Sequence, residues 1–135
     1  MGLEPERAAM NTWVAVMAGG AIGSLARHLV NIGATRVFGR PTPYAVVIVN
    51  VIGCAIIGWL AGAIAVHRLE MSATMRAFVF VGILGGFTTF SSFGLDTLTL
   101  VREGARATAA INIAVQVGLG LAAVFAGYAL ASRVG

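Results

Sequence analysis

No lysine occurs in this chain, cysteine occurs once, and charged residues make up only 10% of it. Each scarcity excludes something. The nine positive charges are all arginines scattered along the sequence, so no basic stripe exists for a nucleic-acid backbone to follow, and no nucleic-acid partner is expected. Cys54 has no second cysteine to pair with, and inside an apolar stretch it packs as a small apolar residue. Soluble domains carry about 25% charged residues, whereas this chain is 59% hydrophobic with a mean hydropathy of +0.92. Its solvent is a bilayer.

What is present instead is apolar sequence in four blocks, about residues 13–30, 44–66, 75–101 and 107–131. Each is near the roughly 20 residues that cross a hydrocarbon core as a helix. The 135 residues predict one all-α membrane domain, 1–135, of four transmembrane helices. The first block reads as a span and not as a cleaved leader, because Glu4 and Glu6 precede it beside a single Arg7 and it runs on into Arg27. The links at 31–43, 67–74 and 102–106 are too short for an extramembrane domain.

Four spans put both termini on one side. Arg7, Arg68, Arg76 and Arg133 fall on that side, against Arg36, Arg40, Arg102 and Arg106 on the other. So even a tally gives the positive-inside rule little to act on. Either one orientation dominates or the chain inserts both ways and pairs antiparallel. One chain is thin for enclosing a pathway, and a homodimer is the economical solution. The pairs Gly19 and Gly23, Gly58 and Gly62, and Gly82 and Gly86 have GxxxG spacing, which predicts close helix packing without naming the interface.

Polar side chains at membrane depth are costly and are functional candidates by default. No Glu, Lys or His lies in the middle of a block, and Asp96 sits toward the end of its own. A titratable group near the midplane, as a proton-coupled pump requires, is therefore absent. Asn50 lies about two turns into the second block, where its amide either ties helices together or donates to an anion. Thr108, Asn112 and Gln116 recur every four residues along one face of the fourth helix, and Thr89, Ser92, Asp96 and Thr99 share a face of the third. Such lanes are either a hydrated path or side chains satisfied by neighbouring helices.

The stretch GGFTTFSSF, residues 85–93, stands out in the third block. Its glycine pair weakens a helix, and its hydroxyls can serve freed backbone groups. A break inside a membrane is tolerated only where protein or a polar cavity covers it, and such breaks commonly form ion sites. The alternative is an unbroken helix with a small-residue face. Phe90 and Phe93 are core or lipid packing, or else rings whose positive edges line an anion path.

Taken with GGAIGSLAR at 19–27 and VNVIG at 49–53, GGFTTFSSF resembles the Fluc (CrcB) family of fluoride channels across all four blocks. The resemblance implies an antiparallel, dual-topology homodimer with two pores and a broken third helix in a microbial cell (inner or plasma) membrane, passively exporting fluoride and lowering its cytoplasmic concentration. It implies a central structural sodium ion (Na+) held by main-chain carbonyls that map to Gly85 and Thr88. Asn50 matches the family's pore asparagine, Phe90 and Phe93 its paired phenylalanines, and Arg27 its first-helix arginine, expected near an aqueous entrance. Thr89 and Ser92 look like part of the polar track. Asn112 and Gln116 fit the pore more loosely, and Phe87 stands where leucine is common. The chain is then no enzyme. One rival is a small dual-topology multidrug or cation antiporter, which needs a carboxylate in its first span, and the sequence has none there. The other is a purely structural membrane subunit.

Overall fold

The computed structural model describes residues 3–39 and 43–133; Arg40, counted in the charge tally, lies outside them. Among the described residues there are helices and no strand. Four helical stretches are long and apolar enough to cross a membrane: Ala9–Phe38, Tyr44–Ala65, Ala73–Arg102 and Arg106–Arg133. They are called the first to fourth spans below. At 1.5 Å per residue the second is about 33 Å long, close to the hydrocarbon thickness of about 30 Å.

The first helix, Leu3–Phe38, outruns its apolar block. Apolarity fades after Val30, but residues 31–38 include no proline and one glycine, so nothing there stops a helix. It ends at Gly39, whose φ of +70° is a conformation that glycine takes without strain. The third span is assembled from pieces: Ala73–Arg76, a π-helical stretch Ala77–Leu84, a turn Gly85–Phe87, and Phe90–Arg102. Thr88 and Thr89 between the last two are extended.

Glycines decide which spans meet. A Cβ on Gly23 would overlap the Ile83 carbonyl, one on Gly86 would lie 2.7 Å from the Gly20 oxygen, and one on Gly82 would lie 2.9 Å from the Gly19 Cα. The first span and the first half of the third thus touch backbone to backbone. The second and fourth do the same, since a Cβ on Gly58 would overlap the Val124 carbonyl and one on Gly62 would lie 2.6 Å from the Tyr128 oxygen. In lipid there is little hydrophobic drive between helices, so this close dispersion contact is what holds them. All three GxxxG pairs are therefore used inside one chain. Val49 is fully buried in the middle of the assembly, while Trp13, Met17, Leu25 and Phe125 point outward, as side chains facing lipid do.

The short links close with local bonds. After the third span the Ala105 N–H reaches the Leu100 carbonyl at 2.9 Å and the Gly104 N–H reaches Val101 at 3.1 Å, with Gly104 at φ +80°, the bonding pattern of a Schellman cap. After the second span Arg68 Nη1 donates to the Ala131 carbonyl at 3.1 Å, which satisfies an orphan group at the end of the fourth. Removing it by Arg68→Ala is expected to lower the thermal unfolding midpoint in detergent by about 2 °C. An unchanged midpoint would show that water replaces this bond at no cost.

Candidate functional site

The site grows from two residues that leave the helix. Gly85 and Gly86 weaken helical preference just before the interruption, and Thr88 (φ −84°, ψ 161°) and Thr89 (φ −156°, ψ 115°) run extended. The Thr89 hydroxyl caps the following helix by accepting the Ser92 N–H at 3.2 Å, and it also donates to Ser92 Oγ at 3.0 Å. Upstream, Thr88 Oγ1 donates to the Leu84 carbonyl at 2.9 Å. The Thr89 hydroxyl thus serves an N–H that the interruption frees, whereas the Leu84 carbonyl also accepts the Thr88 N–H at 3.0 Å.

Asn50 of the second span closes the other side. The Thr89 N–H donates to Asn50 Oδ1 at 2.8 Å, and Asn50 Nδ2 donates to the Thr89 carbonyl at 3.1 Å and to Gln116 Oε1 of the fourth span at 3.0 Å. A backbone N–H can only donate, so it fixes which amide atom of Asn50 is oxygen; Asn50 in turn fixes which atom of Gln116 is oxygen. What is left is Gln116 Nε2. It is buried and has no hydrogen-bond partner among the described residues, in a residue only 8% exposed.

These groups line a cleft of about 410 Å³ that also includes Gly85, Thr88, Cys54, Phe90 and Phe93. Among the described residues no charged side chain lines it. Phe93 is buried and Phe90 is 82% exposed, and the two rings stand edge to face with centroids 5.3 Å apart and planes at 63°. Asn50, Gly53, Cys54 and Ile57 all reach the cleft from one face of the second span, at i, i+3, i+4 and i+7.

The fit of a cation to the Gly85 and Thr88 carbonyls can be tested on the bonding. In a continuous helix the Gly85 oxygen would accept the Thr89 N–H, and the Thr88 oxygen the Ser92 N–H. Both donors are diverted, the first to Asn50 Oδ1 and the second to Thr89 Oγ1. Both oxygens have lost their helical donors, and neutral oxygen ligands of this kind suit a hard monovalent cation. Arg27 Nη1 lies 3.5 Å from the Thr88 carbonyl, at the outer limit of a hydrogen bond. Because the first helix continues to Phe38, Arg27 lies about three turns before its end, beside the interruption.

The remaining candidates lie apart from the cleft. Ser92 reaches it only through Thr89. Asn112, 7% exposed, donates to Thr97 Oγ1 at 3.0 Å, and Thr97 donates to the Phe93 carbonyl at 2.8 Å. The fourth-span lane splits, with Asn112 and Gln116 buried and Thr108 exposed. The third-span lane also splits: Asp96 keeps one buried, unpartnered carboxylate oxygen, while the Thr99 hydroxyl turns back to its own helix at Leu95. Thr97, outside that lane, makes the contact across to the fourth span. Periodicity missed it because a residue on the flank of one lane can still face a neighbouring helix. Cys54 was legible only as apolar packing, although its spacing of four from Asn50 was the available signal.

Four membrane-crossing helices around a buried amide pair define a multi-pass membrane protein. Residues 14–128 match the family model described as CrcB-like protein, Camphor Resistance (CrcB). The chain belongs to the CrcB family. Curated relatives bear the name Fluoride-specific ion channel FluC. The one from Caulobacter vibrioides (strain NA1000 / CB15N) is 46% identical over 125 residues, covering 93% of this chain and 98% of the relative. That from Agrobacterium fabrum (strain C58 / ATCC 33970) is 45% identical over 115 residues, covering 85% and 91%. That from Rhodospirillum centenum (strain ATCC 51521 / SW) is 44% identical over 121 residues, covering 90% and 95%.

Proposed function

We propose that this chain is a fluoride-selective channel through which fluoride leaves the cell passively, as a multi-pass protein of the inner or plasma membrane. Beside the family membership, the observation that carries this reading is Gln116 Nε2, a buried amide donor with no partner among the described residues, on a side chain that lines an uncharged cleft. Fluoride is small and holds its water tightly, so a path must return hydrogen bonds to it without binding it too well to release. A neutral amide N–H does that. Phe90 and Phe93, whose rings meet edge to face, line the same cleft, where a ring edge turned to the path would favour an anion. Asn50 contributes by holding Gln116 Oε1, which leaves Nε2 without a partner on a residue that lines the cleft. Thr89 and Ser92 order the hydroxyls at its edge, and Asn112 fixes the second half of the third span through Thr97.

Hydrogen fluoride enters as a neutral weak acid and dissociates, trapping the anion inside. An open path then exports it, because an inside-negative potential contributes about 2.3 kcal/mol per charge for each 100 mV. This is transport and not an enzymatic reaction.

The assembly is an antiparallel, dual-topology homodimer. Two things support this: the even division of arginines between the two faces, and Phe90, which is 82% exposed at the mouth of an open cleft where a second copy would cover it. The carbonyls of Gly85 and Thr88, at the break in the third helix, would hold a structural sodium ion. When bound, such an ion supplies a fixed positive potential beside the path and ties the two copies together. Arg27, near the Thr88 carbonyl, adds positive potential.

Purified protein in potassium-loaded liposomes should release fluoride, read by electrode, when a potassium ionophore sets the potential, and should retain chloride. Equal passage of both anions, or no fluoride release, would sink the assignment. The rival antiporter predicts fluoride tightness and cation uptake driven by a proton gradient.

A further inference from the structure

We propose that Asn50 is a positioning residue for the cation-binding carbonyls: it keeps the third span interrupted and so sets the affinity of Gly85 and Thr88 for a monovalent cation. The inference rests on the sodium reading above and adds a role for a side chain that the cation does not touch.

The geometry points to it through one competition. The Thr89 N–H has two available acceptors, the Gly85 carbonyl in a continuous helix and Asn50 Oδ1 in the interrupted one. It uses Asn50 at 2.8 Å, and Asn50 Nδ2 returns a bond to the Thr89 carbonyl at 3.1 Å. One amide thus pairs both polar groups of one extended residue, as a neighbouring strand would. An unpaired N–H cannot be left at membrane depth. If the amide is removed, the Thr89 N–H turns to Gly85, helix re-forms across 88–89, and the Gly85 oxygen is consumed. The space for the interruption is also specific to the second span, because a Cβ on Gly53, three residues on, would overlap the Thr88 methyl group.

Three variants separate this from a lining or packing role. Asn50→Leu keeps the volume and offers no acceptor. Asn50→Ser is too short to reach Thr89. Asn50→Asp keeps an oxygen for the Thr89 N–H, and its second oxygen can accept from Gln116 once that amide turns. The readout is the thermal unfolding midpoint of purified protein in detergent, titrated with sodium chloride at constant ionic strength against choline chloride.

The wild type should gain a saturable, sodium-specific rise. Asn50→Asp should keep it, even if its negative charge stops anion flux, whereas Asn50→Leu and Asn50→Ser should need at least tenfold more sodium or show no rise. Either of the last two carries the test if the other fails to fold. Half-saturation at the wild-type sodium concentration in Leu or Ser overturns the proposal, as does loss of the response in Asp. A wild type with no sodium-specific rise overturns the cation reading itself.

Discussion

Replacing Gln116 by leucine is expected to cut fluoride efflux from liposomes about 100-fold. Two donors are affected at once. Nε2, an amide nitrogen unpartnered among the described residues, disappears, and Asn50 Nδ2 keeps the Thr89 carbonyl but loses the Oε1 to which it donates at 3.0 Å. A hydrogen bond from Nε2 to a passing anion is worth about 1.5–3 kcal/mol, and 1.4 kcal/mol is a factor of ten. Gln116→Glu distinguishes conduction from folding. Its carboxylate still accepts from Asn50, so the amide pairing and the assembled protein persist, but an anionic oxygen replaces the donor. Efflux should fall as far as in the leucine variant while the protein remains folded. Wild-type efflux in Gln116→Glu would remove Gln116 from the path.

The largest loss of stability is expected from Gly58→Val. A Cβ there meets the Val124 carbonyl, a backbone atom that no rotamer change can move, so the second and fourth spans must separate. Separation also loosens the contacts at Gly62 and Gly127, where added Cβ atoms would meet Tyr128 and Ala55 backbone oxygens. Overpacking of this kind costs about 3 kcal/mol, and unfolding by denaturant in detergent would read it. Gly33→Val is the matched control, since a Cβ there has open space around it. Equal loss at the two positions would mean that helix propensity, and not close backbone approach, explains the effect.

The contrast between these glycines marks where sequence reading stops. GxxxG spacing at Gly19 and Gly23, Gly58 and Gly62, and Gly82 and Gly86 was visible as a promise of close contact. Nothing in the spacing said that the first pair meets the third span and the second pair meets the fourth. The same holds for the polar residues. Asn112 and Gln116 lie one turn apart on a buried face, as their four-residue period implies, but Thr108, on the same period, is exposed although Ala109 beside it is buried. Thr97 was passed over because its partner, Asn112, comes from another helix.

The solvent, the four spans, the weak point at Gly85 and Gly86, and the supply of polar groups near it are all legible in the order of residues. These are matters of composition and of residues a few positions apart, which helical periodicity and local propensity govern. What those polar groups do depends on how the spans pack. Asn50 meets Thr89 from 39 residues away and Gln116 from 66, and that meeting leaves Gln116 Nε2 unpartnered and releases the Gly85 carbonyl. An amide has two donors and an oxygen to place, and in a medium without water the packing of the spans determines which of them find a partner.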